Sequence, residues 1–254
     1  MAGTGIELII PDWPAPPGIV AVSTTRVGGT STGCYESLNL ATHVGDLPAA
    51  VDNNRALLID HLSLIVKPRW LNQVHGTQVV EADKITRPVA ADAAVASAPD
   101  IACVVMTADC LPILLCDRQG RHVAAVHAGW RGLASGVIAT AVAALLSCGV
   151  DPADLIAWLG PAIGPAAYEV GEDVRDAVRA TDASRTLTPG VAGRWQLDLY
   201  RFARCALRAC GVESIHGGDF CTYSDSQRFF SYRRDGTCGR QATLIWRSSA
   251  PPEH

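Results

Sequence analysis

Three short segments combine a histidine or cysteine with a turn-forming glycine or proline. They are Asn72-Gln73-Val74-His75-Gly76, Thr107-Ala108-Asp109-Cys110-Leu111-Pro112 and Val126-His127-Ala128-Gly129-Trp130-Arg131-Gly132. Two imidazoles and one thiol are a donor set suited to zinc. Three protein ligands leave a fourth position for water or substrate, as in catalytic zinc sites. A metal there lowers the pKa of its water and supplies a nucleophile near neutral pH. His75, Cys110 and His127 are therefore candidate metal ligands and catalytic residues. Each also has a plainer reading. A lone cysteine on an apolar strand is usually a small core residue, and a lone histidine after a strand is usually capped or buried. The spacing of the three matches no short metal signature. Without a metal, Cys110 could act as a nucleophile with His127 or His75 as its base. A structural metal site in a partner-binding protein would need a fourth ligand, for which His43, His122 and Cys116 are the nearest spare donors.

The elements that must position these residues follow from the apolar patterning. Ile6–Ile10, Ile19–Thr24, Lys67–Asn72, Gln78–Glu81, Ile101–Thr107, Leu111–Cys116, His122–Val126, Leu155–Leu159 and Ser214–Ile215 read as strands, with late strands at Tyr232 and Leu244–Trp246. Ala49–Leu62, Gly132–Leu146, Val170–Ala180 and Leu197–Cys210 read as helices. Each candidate ligand then sits just beyond a strand, where open α/β sheets usually bind ligands. The predicted fold is α/β: a single layered domain, residues 1–254, with a mixed β-sheet and flanking helices. Ala180–Gly193 is the best loop candidate, and 248–254 reads as a frayed tail.

Three further features suggest anion or base contacts. Gly129-Trp130-Arg131-Gly132 opens a helix directly after a strand, and Gly160-Pro161-Ala162-Ile163-Gly164-Pro165 makes a rigid turn after another. Phe229-Phe230-Ser231-Tyr232-Arg233-Arg234 sets aromatics beside paired arginines that could stack a base and hold a phosphate, but a strand followed by a charged turn is the favoured reading. No Walker loop is present.

Composition narrows the function classes. The chain has 254 residues, 48% of them hydrophobic and 18% charged, which excludes wholesale disorder. A net charge of −4 argues against non-specific nucleic-acid binding and a polybasic membrane patch. Nine cysteines, without a C-x-x-C pair or a signal-peptide pattern, read as reduced thiols in a cytoplasmic protein. Gly132–Val150 carries no charge but is Ala-, Gly-, Ser- and Thr-rich, so it reads as a buried helix and not a membrane span.

Beyond these local readings, the motifs Ser37-Leu38-Asn39-Leu40, His43-Val44-Gly45-Asp46, NQVHG at 72–76, TADCLPILL at 107–115, HAGWRG at 127–132, LGPAIGP at 159–165 and FFSYRRDG at 229–236 occur together and in order. The chain resembles the YfiH-type family, also called laccase-domain, polyphenol-oxidase-like or peptidoglycan editing factor proteins, from about Thr24 to Trp246. The resemblance implies a layered α/β fold and a metal, zinc or copper, held by His75, Cys110 and His127. It implies phosphorolysis of purine nucleosides (adenosine, inosine, guanosine, methylthioadenosine) and deamination of adenosine, or editing of serine-containing peptidoglycan precursors. The expected partners are thus a purine nucleoside and phosphate, with no nucleic acid and no membrane.

On this reading Arg131, Arg55 and Arg26 are the candidate substrate- and phosphate-binding residues, chosen by charge and position, together with Asn39 of the Ser37–Leu40 motif. Deamination would also need a carboxylate for proton transfer. Asp109 neighbours Cys110, but strand alternation points it to the opposite face. Cys238 departs from the family's last motif as an inserted-looking residue. A conventional multicopper oxidase needs many more histidines, several in H-x-H pairs, than the seven here. Copper would still compete well for nitrogen and sulfur ligands.

Overall fold

Val-, Ile- and Leu-rich runs form the strands, and alternation within them decides which layer each side chain enters. The computed structural model describes residues 5–64, 68–181, 183–191 and 193–249. In chain order the elements are β1 (Leu8–Ile9), β2 (Ile19–Thr24), α1 (Pro48–His61), β3 (Val79–Glu81), β4 (Ala93–Ala96), β5 (Cys103–Thr107), β6 (Leu111–Asp117) and β7 (Val123–Ala128). There follow α2 (Trp130–Ser135), α3 (Val137–Ser147), β8 (Leu155–Leu159), β9 (Glu169–Val170), α4 (Glu172–Arg179), β10 (Leu187–Pro189), β11 (Trp195–Leu197), α5 (Leu199–Ala209), β12 (Ser214–Gly217), α6 (Tyr232–Asp235) and β13 (Gln241–Arg247).

Two sheets carry the fold. The larger runs β12-β8-β6-β7-β4-β3 and is mixed: β12 and β8 are parallel, as are β3 and β4, and the central pairs are antiparallel. The smaller runs β1-β2-β13-β5 and is antiparallel throughout. A third, three-stranded sheet, β10-β11-β9, lies outside this pair in the strand order.

Period-two alternation sorts the core into layers. Leu111, Ile113, Leu115, Ala124 and Val126 face Leu133, Val137, Ile138, Leu145, Phe202 and Leu207 of the helices α2, α3 and α5. Leu114, Cys116, Ala125 and Trp158 on the opposite face meet Ala21, Val105, Cys103 and Ile245 of the smaller sheet. The outer face of that sheet (Val22, Val104, Met106, Leu244, Trp246) is covered by Leu38, Leu40 and Leu58. The order of layers is helices, six-stranded sheet, four-stranded sheet, then α1 with the 38–41 segment. The predicted α/β domain with a mixed sheet and flanking helices is what forms.

Several local expectations are corrected. The single helix over Gly132–Leu146 is two helices, because Gly136 adopts φ +91 and ends α2 before α3 begins. Over the described residues 68–72 no strand forms: Arg69 and Asn72 make isolated bridges, and Lys67 lies outside the described residues. Tyr232 begins a short helix instead of a strand, capped by the Ser231 hydroxyl, which accepts from the Arg234 N–H. The loop expected over Ala180–Gly193 contains β10, whose partner is β11. At the tail, Ser248 N–H donates to Gly18 O and Ser249 N–H to Asp100 Oδ1, so these two residues are tied down. The remainder of the expected frayed segment, 250–254, lies outside the described residues. Among the described residues no helix is long and apolar enough to cross a membrane.

Candidate metal centre

The candidate ligands meet at the mouth between the two sheets. His127 belongs to β7, which ends at Ala128, two residues beyond the strand end at Val126 expected from sequence. Its neighbours Val126 and Ala128 face the helices, so His127 points to the inter-sheet side. Cys110 immediately precedes β6. Leu111 and Ile113 face the helices, so Cys110 faces the same side as His127. The Asn72–Gly76 turn brings in the third side chain, with His75 in the left-handed region at φ +60. The ligand atoms of His75, Cys110 and His127 all lie within 4.8 Å of one another. Cys110 Sγ is 3.8 Å from His75 Nε2, and the imidazole rings pack edge to face at 4.8 Å.

Asp92, at the entry to β4, organises this cluster. Its fully buried carboxylate accepts the His127 Nδ1 hydrogen bond at 2.8 Å. It also accepts backbone N–H bonds from Val74 (3.3 Å), His75 (2.9 Å) and Gly76 (2.6 Å). One carboxylate thereby folds the turn that carries one ligand and orients the ring of another. The bond to Nδ1 leaves Nε2 of His127 as the nitrogen available to the site. Gly129 supplies space: a Cβ there would sit 3.0 Å from Cys110 Sγ and 3.1 Å from His75 Cδ2.

The electrostatics are reciprocal. Burial opposes ionisation of Cys110, but the His127 and His75 imidazoles outweigh it and pull the thiol down to about 6. Burial likewise opposes the charged form of His127, yet the Cys110 thiolate and the Asp92 carboxylate raise it to about 9. The metal-free site is thus a thiolate–imidazolium pair. A divalent metal would take the place of the imidazolium proton.

These residues fit a metal. Zinc bonds of about 2.0–2.3 Å in tetrahedral geometry set donor separations of about 3.3–3.8 Å. The three donors need only a small contraction to reach them. Thiolate and imidazole suit zinc or copper, and the Asp92–His127 bond is the outer carboxylate that metal-ligating histidines usually carry.

The cluster opens into a cleft of about 370 Å³ that His43, Gln73, Thr107, Tyr232 and Arg240 also line. Gln73 is fixed, its amide donating to Met106 O and accepting from Met106 N–H, each at 2.8 Å. Thr107 is almost fully buried, and its Oγ1 has no partner. Tyr232 is 61% exposed. Arg240 uses Nη1 to donate to Cys238 O and Gly239 O. Cys238 is buried beside Phe230 and Ala108, under that arginine. Burial, Arg240 and Arg55 hold the His43 imidazole below its ordinary value. No carboxylate lines the cleft among the described residues.

The other sequence candidates lie around this centre and not in it. Asp109 accepts from Thr222 Oγ1 and from the Arg233 N–H, each at 2.6 Å, and so braces the Thr222 loop against the start of α6. Arg26 donates to Glu36 O and Ser226 O and stacks on Phe230. Asn39 is fully buried and accepts the Arg240 N–H at 3.0 Å. Arg55 stacks on Trp70 at 4.0 Å and donates to Leu40 O. Arg131 stacks on the neighbouring Trp130 at the start of α2. Cys116, inside β6, and His122, which bonds Asp117, are remote from the cluster; His43 alone of the spare donors shares its cleft. All nine cysteines are free thiols. Sequence reasoning missed Asp92, Thr107 and Arg240 as site residues, and it raised Tyr232 only within the aromatic–arginine segment, where it favoured a plain strand. For Asp92 a signal existed: a single acid inside the small apolar run Val89–Ala94.

Residues 20–248 match the family model described as multi-copper polyphenol oxidoreductase laccase. A purine nucleoside phosphorylase of Pseudomonas aeruginosa is 52% identical, covering 94% of this chain and 97% of its own length. The purine nucleoside phosphorylase YfiH of Escherichia coli is 50% identical, with 94% and 98% covered. Among solved structures, a Neisseria meningitidis protein superposes with a TM-score of 0.91 at 46% identity, over 95% of this chain and 99% of that one. YlmD of Geobacillus stearothermophilus gives 0.86 at 33% identity, over 91% and 93%.

Proposed function

The chain belongs to the multi-copper polyphenol oxidoreductase laccase family, and within it we propose that this protein is a metal-dependent purine nucleoside phosphorylase of the cytoplasm. The observation that carries the proposal is the convergence of His75, Cys110 and His127 at the base of a nucleoside-sized cleft that also holds an arginine and an exposed tyrosine. The relatives at 52% and 50% identity bear the same activity in their names.

His75, Cys110 and His127 would hold the metal, with zinc the fitting ion and copper able to compete. A metal there acts as a Lewis acid on an oxygen of the bound reactants. The chain's own residues do the rest. Tyr232 offers a ring face to the purine. Thr107 Oγ1, buried and unpartnered, offers a hydroxyl to the ribose. The Nε and Nη2 donors of Arg240 carry no other bond among the described residues and face a cleft without a carboxylate, so they hold phosphate. Asn39 positions Arg240 through its backbone N–H. Arg131, at the start of α2, would assist as a charge at the rim, while Arg55 and Arg26 act through the loops that they tie. In the reaction a phosphate oxygen bonds to ribose C1′ as the glycosidic bond breaks. The electron pair goes to the purine, which takes a proton.

Adenosine, inosine, guanosine and methylthioadenosine are the proposed substrates. Deamination of adenosine is secondary to this reading, because among the described residues no acid lines the cleft for the proton transfer that zinc deaminases assign to a carboxylate. The test is chromatographic: metal-quantified protein with adenosine, with and without phosphate. Adenine formed only with phosphate is the expected result. Phosphate-independent inosine would assign deamination, and no product from any of the four nucleosides would overturn the proposal.

The thiolate–imidazolium pair of Cys110 and His127 favours one second reading, a cysteine nucleophile acting on serine-containing peptidoglycan precursors. Retained turnover after exhaustive chelation would select it over the metal-dependent reading.

A further inference from the structure

A second cavity, of about 540 Å³, lies between α1 and the segments around Trp70 and Ile85. It shares no lining residue with the metal cleft. Three guanidinium groups, Arg55, Arg69 and Arg87, line it, against one carboxylate, Asp52. Neither Arg69 nor Arg87 forms an ion pair or side-chain hydrogen bond with any described residue. Arg69 Nε is buried without a partner. A buried donor left unpaired is costly, and a charged one more so. Arg55 cannot fold away to relieve the charge, because its guanidinium is pinned on the Trp70 ring at 4.0 Å and its Nε donates to Leu40 O at 2.9 Å. Pro68 and Ile59 supply apolar wall.

We propose that this cavity is a binding site for a phosphate monoester on a compact polar body, such as a sugar phosphate, distinct from the nucleoside cleft. A monoester carries a charge of about −1.5 to −2 at neutral pH, which the arginines match once Asp52 is counted. Arginine forks bind such oxygens in pairs. Asp52 and the Thr86 hydroxyl, on the exposed rim, take the hydroxyls of the body. The volume exceeds what an inorganic ion fills.

Calorimetric titration of the metal-loaded protein with ribose 5-phosphate tests this. One binding site beyond any occupancy of the metal cleft is expected. It should weaken by about tenfold or more in Arg69→Gln and in Arg87→Gln, each removing one charged partner. It should persist in Cys110→Ala, which alters only the metal cleft. Melting of the ligand-free variants checks folding, and Arg87, being exposed, provides a variant without buried contacts. Undiminished binding in both arginine variants, loss of binding in Cys110→Ala alone, or no binding by the wild type overturns the site. Equal affinity for ribose or for inorganic phosphate overturns the monoester assignment. None of these results depends on nucleoside turnover, so the site and the proposed phosphorylase activity stand or fall separately.

Discussion

A single carboxylate oxygen, Asp92 Oδ1, accepts both the ring Nδ1 hydrogen bond of His127 and the backbone N–H of His75. Asp92 therefore couples two candidate metal ligands from different parts of the chain. It fixes which nitrogen of His127 faces the site and locks the turn that presents His75.

Replacing Asp92 by Ala should lower metal affinity by about 10- to 100-fold, the usual effect of losing an outer partner of a ligating histidine. Asp92→Asn, which can still accept hydrogen bonds, should lose less. Competition with a chromogenic chelator measures both. Wild-type affinity in Asp92→Ala would remove Asp92 from the site's design.

Gly129→Ala separates site from fold. Gly129 has φ −72 and ψ 166, a conformation that alanine adopts freely. The added Cβ would meet Cys110 Sγ at 3.0 Å and His75 Cδ2 at 3.1 Å. The variant should keep nearly the wild-type melting temperature while its metal content and nucleoside turnover fall. Full metal occupancy at unchanged affinity would refute this steric account.

Cys110 should be the fast-reacting thiol of the metal-free protein. Its pKa is held near 6, whereas burial pushes Cys103 and Cys116 well above the ordinary thiol value. Iodoacetamide at neutral pH, followed by peptide mapping, should label Cys110 quickly after chelation and slowly in the metal-loaded protein. Cys103 and Cys116 should stay unlabelled in both. Rapid Cys110 labelling in protein with one metal bound would instead support the free-nucleophile reading.

Asp117 predicts an acid-dependent contribution to stability. Burial opposes its charge, but N–H bonds from Arg121 and His122 and the His122 imidazole outweigh this and lower its pKa. A carboxylate depressed in the folded state contributes stability above its unfolded pKa of about 3.9, which is lost as pH falls through the folded value. Asp117→Asn should therefore cost about 1–3 kcal/mol at pH 7. The difference from wild type should shrink below about pH 4. Denaturant melts across that range measure it, and a pH-independent difference would contradict the assignment.

The layered α/β class is legible from residue order alone, because the apolar runs at Ile19–Thr24, Leu111–Cys116 and Leu155–Leu159 have strand length and composition that few contexts override. Residue order also marked His75, Cys110 and His127, since each stands in a turn-bearing segment beside such a run, and the ordered motifs tied them to one family. That the three meet follows from the folded chain, because 35 residues separate His75 from Cys110 and sheet pairing brings them together. The fold alone revealed Asp92, Thr107 and Arg240 as partners of the site, and it turned Asp109, Asn39 and Arg26 into braces. Residue type and local period report which face a side chain takes. The partner it finds there comes from a distant segment, and strand register and loop path choose that partner only when the whole core closes.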